Sequence, residues 1–515
     1  MGVSVSWITD SVADPSKAAD SEALALACGS EPAITYGELR AREMSFANAL
    51  RRAGVGMGDR VALLLFNSTD FVAYYLAIAR LGAISVRLNW RLTAAELSFQ
   101  LDDSEASLLV FDSDFESAIG EIRGALRLDR LVERGETAAE WAMPEAQFLE
   151  GGTEEIAACG SLDDPVSLMY TSGTTGLPKG ALWTHGNTLW FAAMQAMKWT
   201  MGPDTVTMSP GPMFHAGGLE VLTMAALFAH GTAVAFPSRG VRVPAIVDAI
   251  RVHQVNQAMF YSFMAEELSN LPDLRKLLPA GMKYINAGGD IYGDSMLRKL
   301  KGLLPEVKFV QQYGLTEGGA IVTVLDHEFT SDYPQSVGRP MPLAEVKVTD
   351  VEGVVVAADV LGEVWVRSPA VSVGYWRRPE ANAEVFVDGW CRTGDLGSLN
   401  AAGFLTLKGR AKDMIRSGGE NIYPAEIEKH ILDFPGVVET AIIGVPDEKY
   451  GEVGCCYLEV DRAVDLEELK NSCIARFAKY KVPKYFLVVD ELPRTSTGKV
   501  RKAVLKEYHY SDIRT

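Results

Sequence analysis

Val61-Ala-Leu-Leu-Leu-Phe66 is an unbroken apolar run, preceded by Gly58-Asp59 and followed by Asn67-Ser68. A run this short with turn residues at both ends predicts a strand buried on both faces, as in a parallel sheet. Phe71 to Leu81 then carries apolar residues at helical spacing, and Ala83-Ile-Ser-Val-Arg87 reads as the next strand. This strand, helix, strand rhythm holds from Tyr36 to about Leu168 and predicts an α/β layered fold with a mostly parallel sheet. A second set follows: Ala233-Val-Ala-Phe236, a helix over Val243 to His253, and Lys283-Tyr-Ile-Asn-Ala287 leading into Gly288-Gly289. Two related sheets are expected.

After about Pro334 the texture changes to short alternating strands with frequent glycine, as in Ala344-Glu-Val-Lys-Val348 and Gly362-Glu-Val-Trp-Val-Arg367. This predicts a small antiparallel sheet or barrel. From Gly409 onward a short strand and helix succession ends in Tyr508 and a polar tail. With 515 residues the chain exceeds one ordinary core. The expected division is a large unit over 1–408, made of α/β layers to about 333 and a β-barrel over about 334–408. A hinge follows at 409–413 and a small mobile α+β unit at 414–515.

A net charge of −18 repels phosphate backbones and offers no basic stripe, so nucleic acid is excluded as a partner class. Cys28, Cys159, Cys391, Cys455, Cys456 and Cys473 form no C-x-x-C pair and read as small, mostly buried thiols without a zinc ligand set. Asp10 and Asp14 stand where a signal peptide would need a basic region, and the apolar run Val221 to Phe236 is cut by His230 and Gly231, short of a bilayer span. The expectation is a cytoplasmic protein without a transmembrane segment; a homodimer stays open.

Chemistry concentrates at Tyr170-Thr-Ser-Gly-Thr-Thr-Gly-Leu-Pro-Lys-Gly180. Hydroxyls at Thr171, Ser172, Thr174 and Thr175, glycines at Gly173 and Gly176 and the cation Lys179 suit a loop whose backbone N–H groups close on phosphate oxygens. The spacing is not that of a Walker loop, and a surface turn has a similar composition. The stretch resembles the signature loop of the acyl-adenylate-forming enzymes, the superfamily of acyl-CoA synthetases, non-ribosomal adenylation domains and beetle luciferases. Further blocks fit the same family in the same order, from Tyr170 to Lys499.

By that resemblance the large unit is an adenylation domain with ATP and Mg²⁺ as cofactors. Gly288-Gly289-Asp290 and Gln311-Gln312-Tyr313-Gly314-Leu315-Thr316-Glu317 follow predicted strands, and ligands of parallel sheets collect at the carboxyl ends of strands. Tyr313 is implied to stack on adenine, Gly314 to let the backbone approach, Thr316 to bond the α-phosphate and Glu317 to hold Mg²⁺, a cation that takes one or two protein oxygens beside phosphate. Thr316 and Glu317 would equally suit the first turn of a helix. Asp290 departs from the family pattern of a small residue after the glycines; it is expected to meet the adenine amino group or a donor on the acid.

Pro212-Met-Phe-His215-Ala-Gly217-Gly218 resembles the acyl-pocket motif, with His215 between the carboxylate site and the tunnel for the incoming thiol. Gly217 and Gly218 are expected to leave room for a branched, cyclic or aromatic acid, with Leu219, Tyr261, Phe263 and Gly314 also lining the pocket. Residues 215–219 hold no aspartate to meet an ammonium, which disfavours an α-amino acid. Asp395, in Trp390-Cys-Arg-Thr-Gly-Asp395, is implied to take both ribose hydroxyls, work that needs an acceptor-only group. Arg410 corresponds to a ribose-contacting arginine and Lys412 to the hinge residue. Ser417, Gly418 and Gly419 correspond to the turn that lines the pantetheine tunnel in acyl-CoA ligases. Lys499 closes the series as the lysine that reaches from the mobile unit to the substrate carboxylate and α-phosphate.

The reaction implied is ATP-dependent: a small-molecule carboxylic acid attacks the α-phosphorus to give acyl-adenylate and pyrophosphate, then the thiol of CoA, as co-substrate, displaces AMP. Relatives let an amine acceptor or the phosphopantetheine of a carrier protein take the acyl group, and both stay open at this stage. A nucleotide sensor without turnover is disfavoured because Lys499, Glu317 and Asp395 are all present, and a Rossmann dehydrogenase because no G-x-G-x-x-G follows an early strand.

Overall fold

The computed structural model describes residues 4–13, 20–128, 130–171, 178–289, 291–417, 420–494 and 500–507. Two large sheets dominate. The first has seven strands in the order Met143–Pro144, Arg130–Arg134, Leu108–Asp112, Arg60–Leu64, Ile84–Arg87, Pro165–Thr171 and Lys179–Thr184. Neighbouring strands run parallel, except that Lys179–Thr184 returns antiparallel on Pro165–Thr171 with Tyr170 opposite Gly180. The signature stretch thus begins and ends on adjacent antiparallel strands at the sheet edge.

The second sheet has nine strands, and its parallel centre is Tyr284–Gly288, Gln257–Tyr261, Val206–Ser209, Thr232–Ala235 and Leu24–Cys28. Two related sheets were expected, but the strand Leu24–Cys28 precedes the first sheet in the chain and pairs in the second, alongside Thr232–Ala235. The helix Thr69–Arg80 explains the join: every residue from Phe71 to Arg80 is buried, in a core that also takes Leu26, Ala233 and Ala235 from the second sheet and Val61 and Leu63 from the first. Its one buried cation, Arg80, is paired with Glu43 at 2.6 Å and Asp10 at 2.7 Å, which offsets the cost of removing it from water.

Polar starts fix the helices. Ser68 accepts from the Phe71 amide, Thr35 and Glu38 form a capping box at Tyr36–Arg52, and Thr184 and Asn187 form another at His185–Trp199.

Three readings change. The block Gln311–Glu317, expected to follow a strand, begins inside one: the strand runs Lys308–Tyr313, because Gln311, Gln312 and Tyr313 pair antiparallel with Leu325, Val324 and Thr323. No helix starts at Thr316; residues 316–319 form turns. Arg339–Pro340 still pairs with Thr323–Val324, so the large sheet persists beyond residue 334. The antiparallel sheet then comprises Glu345–Thr349, Gly362–Arg367, Phe386–Val387, Trp390–Leu399 and Leu405–Arg410. After the short turn Ala411–Asp413, a last five-stranded sheet begins at Ile415–Ser417 and is centred on Gly451–Val460. No helix among the described residues is long and apolar enough to cross a membrane.

Candidate active site

Residues on strands of three sheets come together at one place. Thr171, the last residue of Pro165–Thr171, donates its hydroxyl to Oε1 of Glu317 at 2.8 Å. The Tyr375 hydroxyl donates to the same oxygen at 3.0 Å. Four residues before Glu317, Tyr313 ends its strand and donates its hydroxyl to Oδ2 of Asp395 at 2.6 Å. Arg410 lies opposite Asp395 across the antiparallel pair Trp390–Leu399 and Leu405–Arg410, and its Nε reaches Oδ1 at 2.8 Å.

The electrostatics follow from burial and these contacts. Burial, with the Asp395 charge and hydrogen bond, holds the Tyr313 phenol well above its ordinary range, so it stays a donor. Burial works against the charge of Arg410, yet Asp395, Tyr313 and Glu317 together raise its pKa above the usual value. Tyr375 is pushed up by burial and by Glu317. Asp395 itself is only 6% exposed. Its two oxygens each carry one protein partner and retain one lone pair, room for a pair of hydroxyl donors.

Around the cleft, Thr316 is buried and its carbonyl accepts from Trp183 Nε1 at 3.0 Å. Gln312 accepts from Asn286 at 3.3 Å. A Cβ at Gly314 would stand 2.0 Å from the Ala320 carbonyl oxygen, so close backbone packing at that turn requires glycine there. The Lys179 ammonium sits 5.4 Å from the centre of the Tyr375 ring. Gly288 ends its strand and Gly289 takes φ +75°, with the Tyr261 ring against both.

His215 precedes the short helix Ala216–Leu219, and its Nδ1 accepts from the Gly217 amide at 3.2 Å. Among the described residues, a methyl at Gly217 would meet His215 Nδ1 at 3.6 Å and the Tyr261 hydroxyl at 3.8 Å. Gly218 differs from the expectation: a Cβ there would lie 2.2 Å from the Pro212 carbonyl oxygen, so the glycine permits a tight backbone crossing and opens no space. Leu219 is likewise turned away from the cleft, fully buried in the core shared by the two large sheets. Tyr261 and Phe263 stack with centroids 5.5 Å apart, and Phe263 is 58% exposed, a wall open to solvent on one side. Burial pushes the Tyr261 phenol up to about 12, against the nearby charge of Arg91.

Lys412 lies exposed in the turn Ala411–Asp413, where burial of its stem and the charges of Arg410 and Lys506 lower its pKa. Ser417 is buried at the end of its strand, opposite Glu420 and Gly451. Ser172, Gly173, Thr174, Thr175, Gly176, Asp290, Gly418, Gly419 and Lys499 lie outside the described residues. Sequence reading missed Tyr375: it sits in no phosphate- or metal-type pattern, and its contact with Glu317 spans 58 positions.

Among the described residues no group of three or more His, Cys, Asp and Glu side chains is placed to hold a metal ion. A lone carboxylate such as Glu317 fits Mg²⁺ that draws its other ligands from phosphate and water.

Comparison with known proteins identifies the family. Residues 14–376 match the model of the AMP-binding enzyme family, and residues 426–499 that of the AMP-binding enzyme C-terminal domain. The chain is 36% identical to a feruloyl-CoA synthase of Amycolatopsis over 478 residues, covering 92% of this chain and 94% of that one. It is 32% identical to the long-chain-fatty-acid–CoA ligase FadD13 of Mycobacterium tuberculosis over 499 residues, covering 93% and 94%. The o-succinylbenzoate CoA synthetase MenE of Bacillus subtilis, solved with its acyl-adenylate intermediate, superposes with a TM-score of 0.86 at 31% identity, covering 98% of each chain. The chain belongs to the AMP-binding enzyme family, among the acyl-CoA synthetases of the acyl-adenylate-forming superfamily.

Proposed function

We propose that the protein is an AMP-forming carboxylic acid:CoA ligase that uses ATP with Mg²⁺. The substrate carboxylate attacks the α-phosphorus of ATP, pyrophosphate leaves, and the CoA thiol then attacks the acyl carbon and releases AMP. No side chain becomes a covalent nucleophile, so catalysis rests on positioning and charge stabilisation.

The observation that carries this reading is the meeting of Thr171, Glu317, Tyr313, Asp395 and Arg410 from three sheets, joined by contacts of 2.6 to 2.8 Å. Asp395 takes the ribose hydroxyls on its remaining lone pairs and Tyr313 stacks on the base. Thr171 and the loop after it, with Thr316, face the phosphates. Mg²⁺ bound beside Glu317 supplies charge neutralisation for the phosphate oxygens. Lys499 reaches the acid and the α-phosphate from the small C-terminal unit. Since Lys499 and the turn at Gly419 serve different half-reactions, that unit rotates about Lys412 between them.

The acid lies between His215, Gly217 and Tyr261, where a flat aromatic wall and a glycine suit a ring. The relatives support CoA over an amine as the acceptor, since all three named above are CoA synthases, synthetases or ligases by name. Pyrophosphate release screened over linear, cyclic and aromatic acids tests the first half. Product masses with CoA, with amino acids and with neither test the second. A thioester only with CoA is expected; an amide, or acid-independent ATP consumption, would overturn the assignment.

A further inference from the structure

Tyr375 reaches Glu317 along an unusual route. The segment Val373–Trp376 lies against the edge strand Lys179–Thr184: Val373 N–H donates to the Leu182 carbonyl at 3.1 Å, Leu182 N–H to the Gly374 carbonyl at 2.9 Å and Trp376 N–H to the Gly180 carbonyl at 2.8 Å. Asn382, on the following helix, holds the Tyr375 backbone at both poles, accepting from its N–H at 2.6 Å and donating to its carbonyl at 3.0 Å. A Cβ at Gly374 would stand 2.9 Å from the Asn382 amide nitrogen, so the approach needs glycine. A strap outside the large sheets thus fixes one hydroxyl against the carboxylate.

Each oxygen of a carboxylate has two lone pairs. Thr171 and Tyr375 both donate to Oε1 of Glu317 and so occupy that oxygen. A carboxylate free to rotate would lose that freedom on binding a cation; one already held on one side does not.

We infer that Tyr375 is a positioning residue: together with Thr171 it ties down Oε1 of Glu317 so that Oε2 is presented to the cation that accompanies ATP. This rests on the reading of Glu317 as the cation's ligand given above. Contacts of this kind behind a metal ligand commonly tune affinity by 10- to 100-fold, roughly.

The test compares Tyr375→Phe with Glu317→Gln in the full-length enzyme. Two quantities are measured: the Mg²⁺ midpoint of acid-dependent pyrophosphate release, and calorimetric binding of α,β-methylene-ATP with Mg²⁺ or with EDTA. Tyr375→Phe should raise the Mg²⁺ midpoint about tenfold and weaken binding of the analogue with Mg²⁺ while leaving the EDTA value and the melting temperature in place. Glu317→Gln should do the same more strongly. If Glu317→Gln shifts the midpoint and Tyr375→Phe does not, the positioning role is wrong and the ligand role stands. If neither shifts it, both fall. Equal loss with Mg²⁺ and with EDTA would assign Tyr375 to the nucleotide or the fold and overturn the inference.

Discussion

At Asp395, a short acidic side chain is fixed on both sides, by Tyr313 at 2.6 Å and Arg410 at 2.8 Å. Asp395→Asn replaces one acceptor oxygen by a donor amide and removes the partner of Arg410. Hydrogen bonds to charged groups contribute roughly 1.5–3 kcal/mol, so KM for ATP should rise about 10- to 100-fold, read from initial rates at saturating acid. An unchanged KM would remove Asp395 from the nucleotide site. The two neighbouring glycines make a sharper contrast. Gly217→Ala adds a methyl with ordinary contacts, so stability should hold while selectivity moves toward smaller acids, seen as a change in the ratio of kcat/KM between an aromatic and a short linear acid. Gly218→Ala forces a methyl onto the Pro212 carbonyl at 2.2 Å and should cost about 1–3 kcal/mol of stability, measured by denaturant unfolding.

At the scale of elements, the helix His185–Trp199 ties the N-terminus to the core. The Val5 amide donates to His185 Nδ1 at 3.2 Å, and Trp7 stacks on His230 at 5.5 Å. Burial lowers the His185 pKa from 6.5 to about 4, with the Asp164 charge acting the other way. The unfolded chain takes up its proton first as pH falls, so this group's stability is complete above its ordinary pKa and is lost as pH falls toward the folded value. By pH 5 the loss should be roughly 2 kcal/mol. His185→Gln keeps an acceptor for Val5 and cannot titrate, so its unfolding free energy should fall less between pH 7 and pH 5. Equal slopes in the two proteins would place the acid sensitivity elsewhere.

The elements legible in the sequence were those whose apolar pattern is local. The strand predicted over 61–66 is Arg60–Leu64, and the helix predicted over 71–81 is Thr69–Arg80. The strand ending at Tyr313 ran past its prediction because its second half is stabilised by the antiparallel return of Thr323–Leu325, a pairing that no local pattern announces. The same holds within the site. Asp395 and Arg410 stand in motif blocks, whereas Tyr375 matters through an oxygen of a residue far along the chain. Leu219 directly follows a recognisable pocket motif, yet one helical turn buries it in the core.

For the molecule as a whole, the arrangement brings Thr171, Tyr313, Asp395 and Arg410 together from two α/β sheets and one antiparallel sheet, with the small C-terminal sheet joined through the turn Ala411–Asp413. Such a site joins an acid to a nucleotide through the acid's own oxygen. The direct measurement is to supply an aromatic acid labelled with ¹⁸O in both carboxylate oxygens, together with ATP, Mg²⁺ and CoA, and to weigh the products. The account predicts one ¹⁸O in AMP, none in pyrophosphate, and one retained in the thioester carbonyl. Label in inorganic phosphate with release of ADP, or unlabelled AMP, would contradict it.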